Sequence, residues 1–325
     1  MSITRRAALA GLMALGLSTP AMAQAYPTKP ITIIVSFAAG GPSDVIARLL
    51  GEQMSKTLGQ PILIENVAGA GGTAGAKRLA AAEPDGHTLL IHHLALAAAP
   101  ALYGNLGYNT KTDFAAIGLV NTGPMVIASK LALPPQDAKA FFPYIKQNAE
   151  KLTIAHAGVG SNSHLCAVLM SQQLGAKFTQ VAYRGTGPAM NDLVGGQIDI
   201  LCDQSTSAIP QIQGQKIRAY AVTSAERLDV LPETPTMTEA GAKLDMTIWH
   251  GLYAPKATPA AVLDKLNAAL REALKQPAVQ ERFKAFGTST FPEAQWTREA
   301  HAKLFAEEIE KWAQSLAAAG IKPQG

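Results

Sequence analysis

Ile31-Thr-Ile-Ile-Val35, then Phe37-Ala-Ala-Gly-Gly-Pro-Ser-Asp44, then the stretch running on to Leu58 decide the fold. The first segment is a short β-branched run and the second a glycine-rich turn. In the third, Val45, Ile46, Leu49, Leu50 and Leu58 alternate with Arg48, Glu52 and Lys56 at helical spacing. Strand, glycine turn and amphipathic helix is the reading. The unit then repeats: Pro61-Ile-Leu-Ile-Glu65 reads as a strand, Gly69-Ala-Gly-Gly-Thr-Ala-Gly75 as a turn, 73–82 as a helix and Thr88-Leu-Leu-Ile91 as a strand. Such alternation predicts α/β layers on a largely parallel sheet.

A second series follows Pro134-Pro135, with helices over 138–148, 163–174 and 188–194 and strands over 152–155, 178–183, 198–202 and 217–223. A third glycine turn, Gly158-Val-Gly-Ser-Asn-Ser-His164, opens its second helix. Two series imply two lobes, assigned to 26–122 with 250–325 and to 123–249. The connecting stretches 116–129 and 247–255 are apolar and strand-like, so they are expected as ordered crossings rather than loose linkers. The tail reads as helical: Thr258-Pro259 opens one helix, and a longer one carries Trp296, Leu304, Ile309, Trp312 and Leu316 as core residues.

Residues 1–25 have Arg5 and Arg6, an apolar stretch from Ala7 to Leu17 and small residues ending in Ala21-Met-Ala-Gln-Ala25. This is the layout of a cleaved export signal, with Ala23 or Ala25 at the cleavage point. The apolar core is shorter than the roughly 20 residues that a membrane span needs. Export predicts a periplasmic protein. The formal charge is +4, with 28 Lys and Arg against 24 Asp and Glu scattered along the chain, a balance that argues against a nucleic-acid partner. Cys166 and Cys202 are the two cysteines. After export they either pair or stay as buried thiols, and neither belongs to a CxxC metal or redox motif.

Each glycine turn precedes a helix start, where close backbone approach and unpaired N–H groups favour an anion. Gly69 to Ala74 also satisfies the dinucleotide pattern, but the next strand ends at Ile91-His92-His93 with no acidic residue to hold a ribose. No cofactor is expected. Adjacent histidines lack the i, i+4 spacing of a helical metal site, so no metal is expected either. Ser161 or Ser163 with His164 suggests, as the alternative function, an exported serine hydrolase of the α/β class. There is no G-x-S-x-G elbow, however, and Ser161, Asn162 or Ser163 is accounted for as a helix cap. Arg184, in the turn Tyr183-Arg-Gly-Thr-Gly-Pro188, stands where parallel sheets bind ligands and has the fork that grips a carboxylate. It serves equally well as a structural partner of loop carbonyls or of Asp203. Asp44 is split in the same way between site and helix cap.

Ordered motifs along the mature chain carry a resemblance. They include Tyr26-Pro-Thr-Lys-Pro-Ile31, Phe37 to Asp44, Ile64-Glu-Asn-Val-Ala-Gly-Ala-Gly-Gly72, Glu83-Pro-Asp-Gly-His-Thr-Leu89, Val181-Ala-Tyr-Arg-Gly185, Gly196-Gln-Ile-Asp199, Leu231-Pro-Glu-Thr-Pro-Thr236 and Gly251-Leu-Tyr-Ala-Pro255. The sequence closely resembles the extracytoplasmic substrate-binding receptors of tripartite tricarboxylate transporters, the Bug family. The resemblance implies a type II periplasmic binding protein fold, two α/β lobes with a ligand cleft between them. It implies a monomeric receptor, not an enzyme, that closes on a small organic mono- or dicarboxylate and hands it to membrane permease subunits. Carried over by motif, Gly40, Gly41, Ser43, Ala70, Gly71 and His93 would line the cleft from one lobe, and Gly160, Ser161, Asn162, Arg184, Asp203 and Gln204 from the other. His156 and His92-His93 depart from the family's usual small or hydroxyl residues. One subgroup has the same Leu-Cys and Cys-Asp-Gln neighbourhoods, which implies that Cys166 and Cys202 pair.

Overall fold

The run Ile31–Val35 is buried at Ile31, Ile33, Ile34 and Val35, because a strand covered by helices on both faces needs apolar side chains at odd and even positions alike. The computed structural model describes residues 26–242, 244–318 and 320–323; the expected export leader, residues 1–25, lies outside them. Chain order is β1 (Ile31–Val35), α1 (Pro42–Leu58), β2 (Ile62–Asn66), α2 (Thr73–Ala80), β3 (Thr88–His93), α3 (Ala95–Ala98), β4 (Phe114–Lys130) and α4 (Ala138–Gln147). Next come β5 (Thr153–His156), α5 (Asn162–Leu174), β6 (Thr179–Ala182), α6 (Thr186–Val194), β7 (Ile200–Gln204), α7 (Ser205–Gln213) and β8 (Ile217–Val222). β9 (Thr247–Pro255), α8 (Ala260–Lys275), α9 (Pro277–Ala285) and α10 (Arg298–Ala318) complete it.

The strands run in the order β2-β1-β3-β9-β4-β7-β5-β6, with β8 also on β4. β1 pairs in parallel with β2 and β3, and β5 in parallel with β6 and β7. β9 and β4 are antiparallel to their neighbours, so the sheet is mixed rather than largely parallel. The reason is topological: these two strands carry the chain between lobes instead of closing a strand–helix–strand unit. β4 makes the crossing within one strand. Phe114 to Pro124 pair with β9, whereas Met125 to Lys130 pair with β7 and β8.

α1 packs Ile46, Leu50 and Met54 onto one face of β1, where Leu266 and Leu270 of α8 join them. Fully burying a side chain such as Leu50 contributes about 2 kcal/mol. The helix ends at Gly59, whose φ of 69° lets its N–H return to Ser55. Behind the sheet, Ile34, Leu90 and Tyr253 meet Phe305 and Trp312 of α10, while Ile127, Ile154, Leu165 and Tyr220 continue the core into the second lobe. α7 is an element the sequence reading missed. α8 begins at Ala260 after Pro259, and the Thr258 hydroxyl has no partner among the described residues, so Thr258 is not its cap. Trp296 precedes α10 and is held by a bond from Nε1 to the Phe291 carbonyl at 2.7 Å.

Candidate functional site

The glycine turns meet across the lobes. A Cβ on Gly71 would overlap the carbonyl of Val159, and one on Gly158 would stand 2.8 Å from the Gly71 nitrogen. Along a second line, a Cβ on Gly185 or Gly187 would come within 2.7 Å of Ala38 N or 2.5 Å of Ala39 O. Two hydrogen bonds cross the same seam: Ala38 N donates to the Arg184 carbonyl at 3.1 Å, and the Tyr103 hydroxyl donates to the Val159 carbonyl at 2.7 Å. Glycine here permits backbone to lie against backbone.

Beside this seam is a cavity of about 20 Å³ lined by both lobes, with room on the order of one water. The N-terminal ends of four helices face it: Gly41, Pro42 and Ser43 of α1, Ser161, Asn162 and Ser163 of α5, Thr186 of α6, and Gln204 ahead of α7. His93, Asp203, Phe37, Met125 and Ala157 complete the lining, which contains no lysine or arginine. Unpaired first-turn N–H groups and aligned peptide dipoles make such ends favourable to negative charge.

On the first wall, β3 and β9 bring His93 opposite His250. Nδ1 of His250 lies 3.0 Å from Asn121 Oδ1 and its Nε2 lies 3.1 Å from Ser43 Oγ. With Nδ1 protonated toward the amide oxygen, Nε2 accepts from the serine hydroxyl, and Ser43 then offers lone pairs to the cavity. His93 accepts the Ala95 N–H at Nδ1, at 3.2 Å, and its ring stacks on Phe37 at 4.8 Å. That bond leaves its proton on Nε2. Burial, with neighbouring His92 and His250, drives the His93 pKa well below the usual value; burial, with His92, takes His250 down to about 3. Both rings are neutral donors or acceptors, not cations.

On the second wall, the Ser161 hydroxyl caps α5 by accepting the His164 N–H at 3.2 Å. Asn162 is thereby released from capping. It is 2 % exposed, and neither end of its amide has a partner among the described residues. Asp203, 1 % exposed, accepts from Gln204 N at 2.8 Å and from the hydroxyls of Ser207 and Thr186. Burial nonetheless pushes its pKa up to about 6. Cys166 and Cys202 are joined as a disulfide with Cα atoms 6.3 Å apart, tying α5 to β7 within four residues of Asn162 and one of Asp203.

Of the residues selected from sequence, Gly41, Ser43, His93, Ser161, Asn162, Asp203 and Gln204 are brought together around this cavity. Gly40, Ala70, Gly71 and Gly160 are not in its lining; Gly71 belongs to the seam, and Gly160 lies against Leu102 and Tyr103. Arg184 is exposed and outside the cavity, and it meets the other lobe through its carbonyl rather than its guanidinium. Asp44 accepts from Gly40 N, Arg48 and Asn66. Burial alone would raise its pKa, but these donors hold it below the usual value. It organises the first turn and does not face the cavity. The reading missed Phe37, Pro42, Met125, Ala157, Ser163 and Thr186 as lining residues.

Hydrolase geometry is not assembled. The Ser161 hydroxyl donates to the Gly158 carbonyl at 2.7 Å, Ser163 accepts from Ala157 N, and His164 accepts from Gly160 N while its ring packs on His156. Among the described residues no group of three His, Cys, Asp or Glu is arranged to hold a metal, and no helix is long and apolar enough to cross a membrane.

Residues 46–321 match the family described as tripartite tricarboxylate transporter family receptor. A UPF0065 protein of Agrobacterium vitis, encoded in a ttuE–ttuC' intergenic region, is 46 % identical over 305 residues, covering 93 % of this chain and 88 % of its own. The structure of the periplasmic binding protein BugD is similar at a TM-score of 0.90 and 43 % identity, over 92 % of this chain and all of that one. MatC from Rhodopseudomonas palustris, with bound malate, gives 0.85 and 41 % over 89 % of this chain and 99 % of its own.

Proposed function

The chain belongs to the tripartite tricarboxylate transporter receptor family, and from that premise we propose that it captures a small organic carboxylate between its lobes and delivers it to a tripartite tricarboxylate-type permease. Family and relatives are substrate-binding receptors rather than enzymes, and receptors of this family are periplasmic. The proposed leader, 1–25, would export this chain to the same compartment, where it would act as a monomer.

One observation carries the reading. Four helix N-terminal ends converge on a cavity without a cationic side chain, and the unpartnered amide of Asn162 is buried among them. A carboxylate would be held by first-turn N–H groups, by the Asn162 amide and by Nε2–H of His93, with the Gln204 side chain at the rim; the protons of Ser43 and Ser161 are already committed to His250 and the Gly158 carbonyl. The lobes proposed from sequence, 26–122 with 250–325 and 123–249, contribute one wall each. A cavity of about 20 Å³ is too small for a dicarboxylate, so capture requires the walls to part and re-close around it. Ligand binding favours closure because both walls reach the anion only then.

Thermal unfolding of the mature protein against a panel of mono- and dicarboxylates, malate first because the MatC neighbour holds it, tests this. Saturable stabilisation with no consumption of the acid is expected; free ligand at 100-fold its Kd adds about 2.7 kcal/mol. Indifference to the whole panel would contradict it.

A further inference from the structure

Asp203 is an acid placed inside an anion site. It lines the cavity from the end of β7, and every partner it has is a neutral donor: Gln204 N, the Ser207 hydroxyl and the Thr186 hydroxyl. We propose that carboxylate capture takes up one proton from solvent, held on the Asp203 carboxyl in the closed complex. The proposal rests on the carboxylate reading above.

The groups facing Asp203 supply no compensating charge. β4 presents Met125 and Val126, α5 presents Asn162 and Ser163, α6 presents Thr186 and α7 presents Ser207. His156 at the end of β5 turns its ring to His164 instead. Across the cavity stand Ser43 and His93, with His250 behind them. Already raised to about 6 by burial, the carboxyl is mostly ionised at neutral pH before ligand arrives. A ligand carboxylate entering the same water-poor space is a second like charge, and two carboxylates in one such site do not both stay ionised. The ligand is fixed as an anion by the helix ends; Asp203 has three neutral donors but no cation, and burial already makes it the harder of the two to ionise, so it takes the proton. Its new O–H then donates to the ligand oxygen that the ionised form would repel. Charge balances: a dianionic ligand and one proton enter together, adding a single net negative charge.

His93 is a poor competitor for that proton. Its Nε2 already carries one in the neutral ring, and Nδ1 accepts the Ala95 N–H. Charging the ring would turn that acceptor into a second donor facing a donor.

The test is calorimetric titration with succinate, or the tightest dicarboxylate from the thermal panel, in buffers of different ionisation enthalpy at pH 7 to 8. The expected result is uptake of between half and one proton per ligand, with affinity falling up to tenfold per pH unit as pH rises above about 6. In Asp203→Asn, affinity changes but uptake per bound ligand is lost and the pH profile flattens; in His93→Gln, affinity falls but uptake per bound ligand remains. Heats that do not depend on buffer in the wild-type protein overturn the proposal without reference to any variant, as does uptake that survives in Asp203→Asn. Absence of binding by every mono- and dicarboxylate of the thermal panel removes the carboxylate reading itself, and this proposal with it; binding without uptake removes this proposal alone.

Discussion

The wall built by α1, β3 and β9 is a side-chain network, whereas the wall built by α5, α6, β7 and α7 is mostly backbone and helix ends. In the first, Asn121, His250 and Ser43 are bonded in series, and His93 is fixed by Ala95 and Phe37. Most polar groups there are already satisfied within the protein. In the second, the Asn162 amide is unpartnered and Asp203 is an acid without a counter-ion. The first wall therefore couples its polar residues to folding, while the second holds polar capacity that the fold leaves unused. An unpaired buried amide lowers stability unless something binds it.

Removing the disulfide should have the largest effect, because it ties together the two elements that carry that unused capacity. Cys166→Ser with Cys202→Ser opens a link spanning 36 residues and should lower unfolding stability by about 4 kcal/mol on the chain-entropy account, measured by denaturant titration. Ligand affinity should fall as well, since α5 and β7 are then free to shift relative to each other.

Two alanine variants separate the walls more finely. Asn162→Ala breaks no internal hydrogen bond and removes an unpaired buried amide, so unliganded stability should hold or rise by on the order of 1 kcal/mol, while carboxylate affinity drops on the order of tenfold or more. Ser43→Ala strands the buried His250 Nε2 and should cost about 1 kcal/mol of stability with the smaller loss of affinity. Denaturation and titration of both variants, compared side by side, read the contrast; the reverse pattern would erase the distinction between the walls.

The β1–α1 unit was legible because a β-branched run, a glycine turn and a 3.6-period stripe each have one local physical cause, and β4 and β9 were legible as ordered crossings because they are apolar without being loose. Their antiparallel pairing was not, since direction depends on which lobe a strand feeds. The site was half legible. The helix start offers Ser161, Asn162 or Ser163 as the cap, and the family resemblance offers Asn162 as a ligand residue, but only three dimensions show that Ser161 takes the capping role and frees Asn162. Phe37 heads a turn read for its glycines, Met125 lies within a stretch read only as a crossing strand, and both line the cavity with Ala157. Arg184 was chosen for its charge, yet the fold uses its carbonyl. The Gly71 and Gly158 turns, read as anion seats, press backbone against backbone at the seam, a contact no local pattern encodes.

Closure around a carboxylate is the central claim, and small-angle scattering of the mature protein with and without saturating dicarboxylate tests it most directly. The Gly71→Ala variant serves as the control, because its Cβ would overlap Val159, and Gly196→Ala as the matched variant, because Gly196 has a similar positive φ but open space around it. The account predicts that the radius of gyration falls on ligand addition in the wild-type protein and in Gly196→Ala, and does not fall in Gly71→Ala. An unchanged radius in the wild-type protein at proven saturation would contradict it.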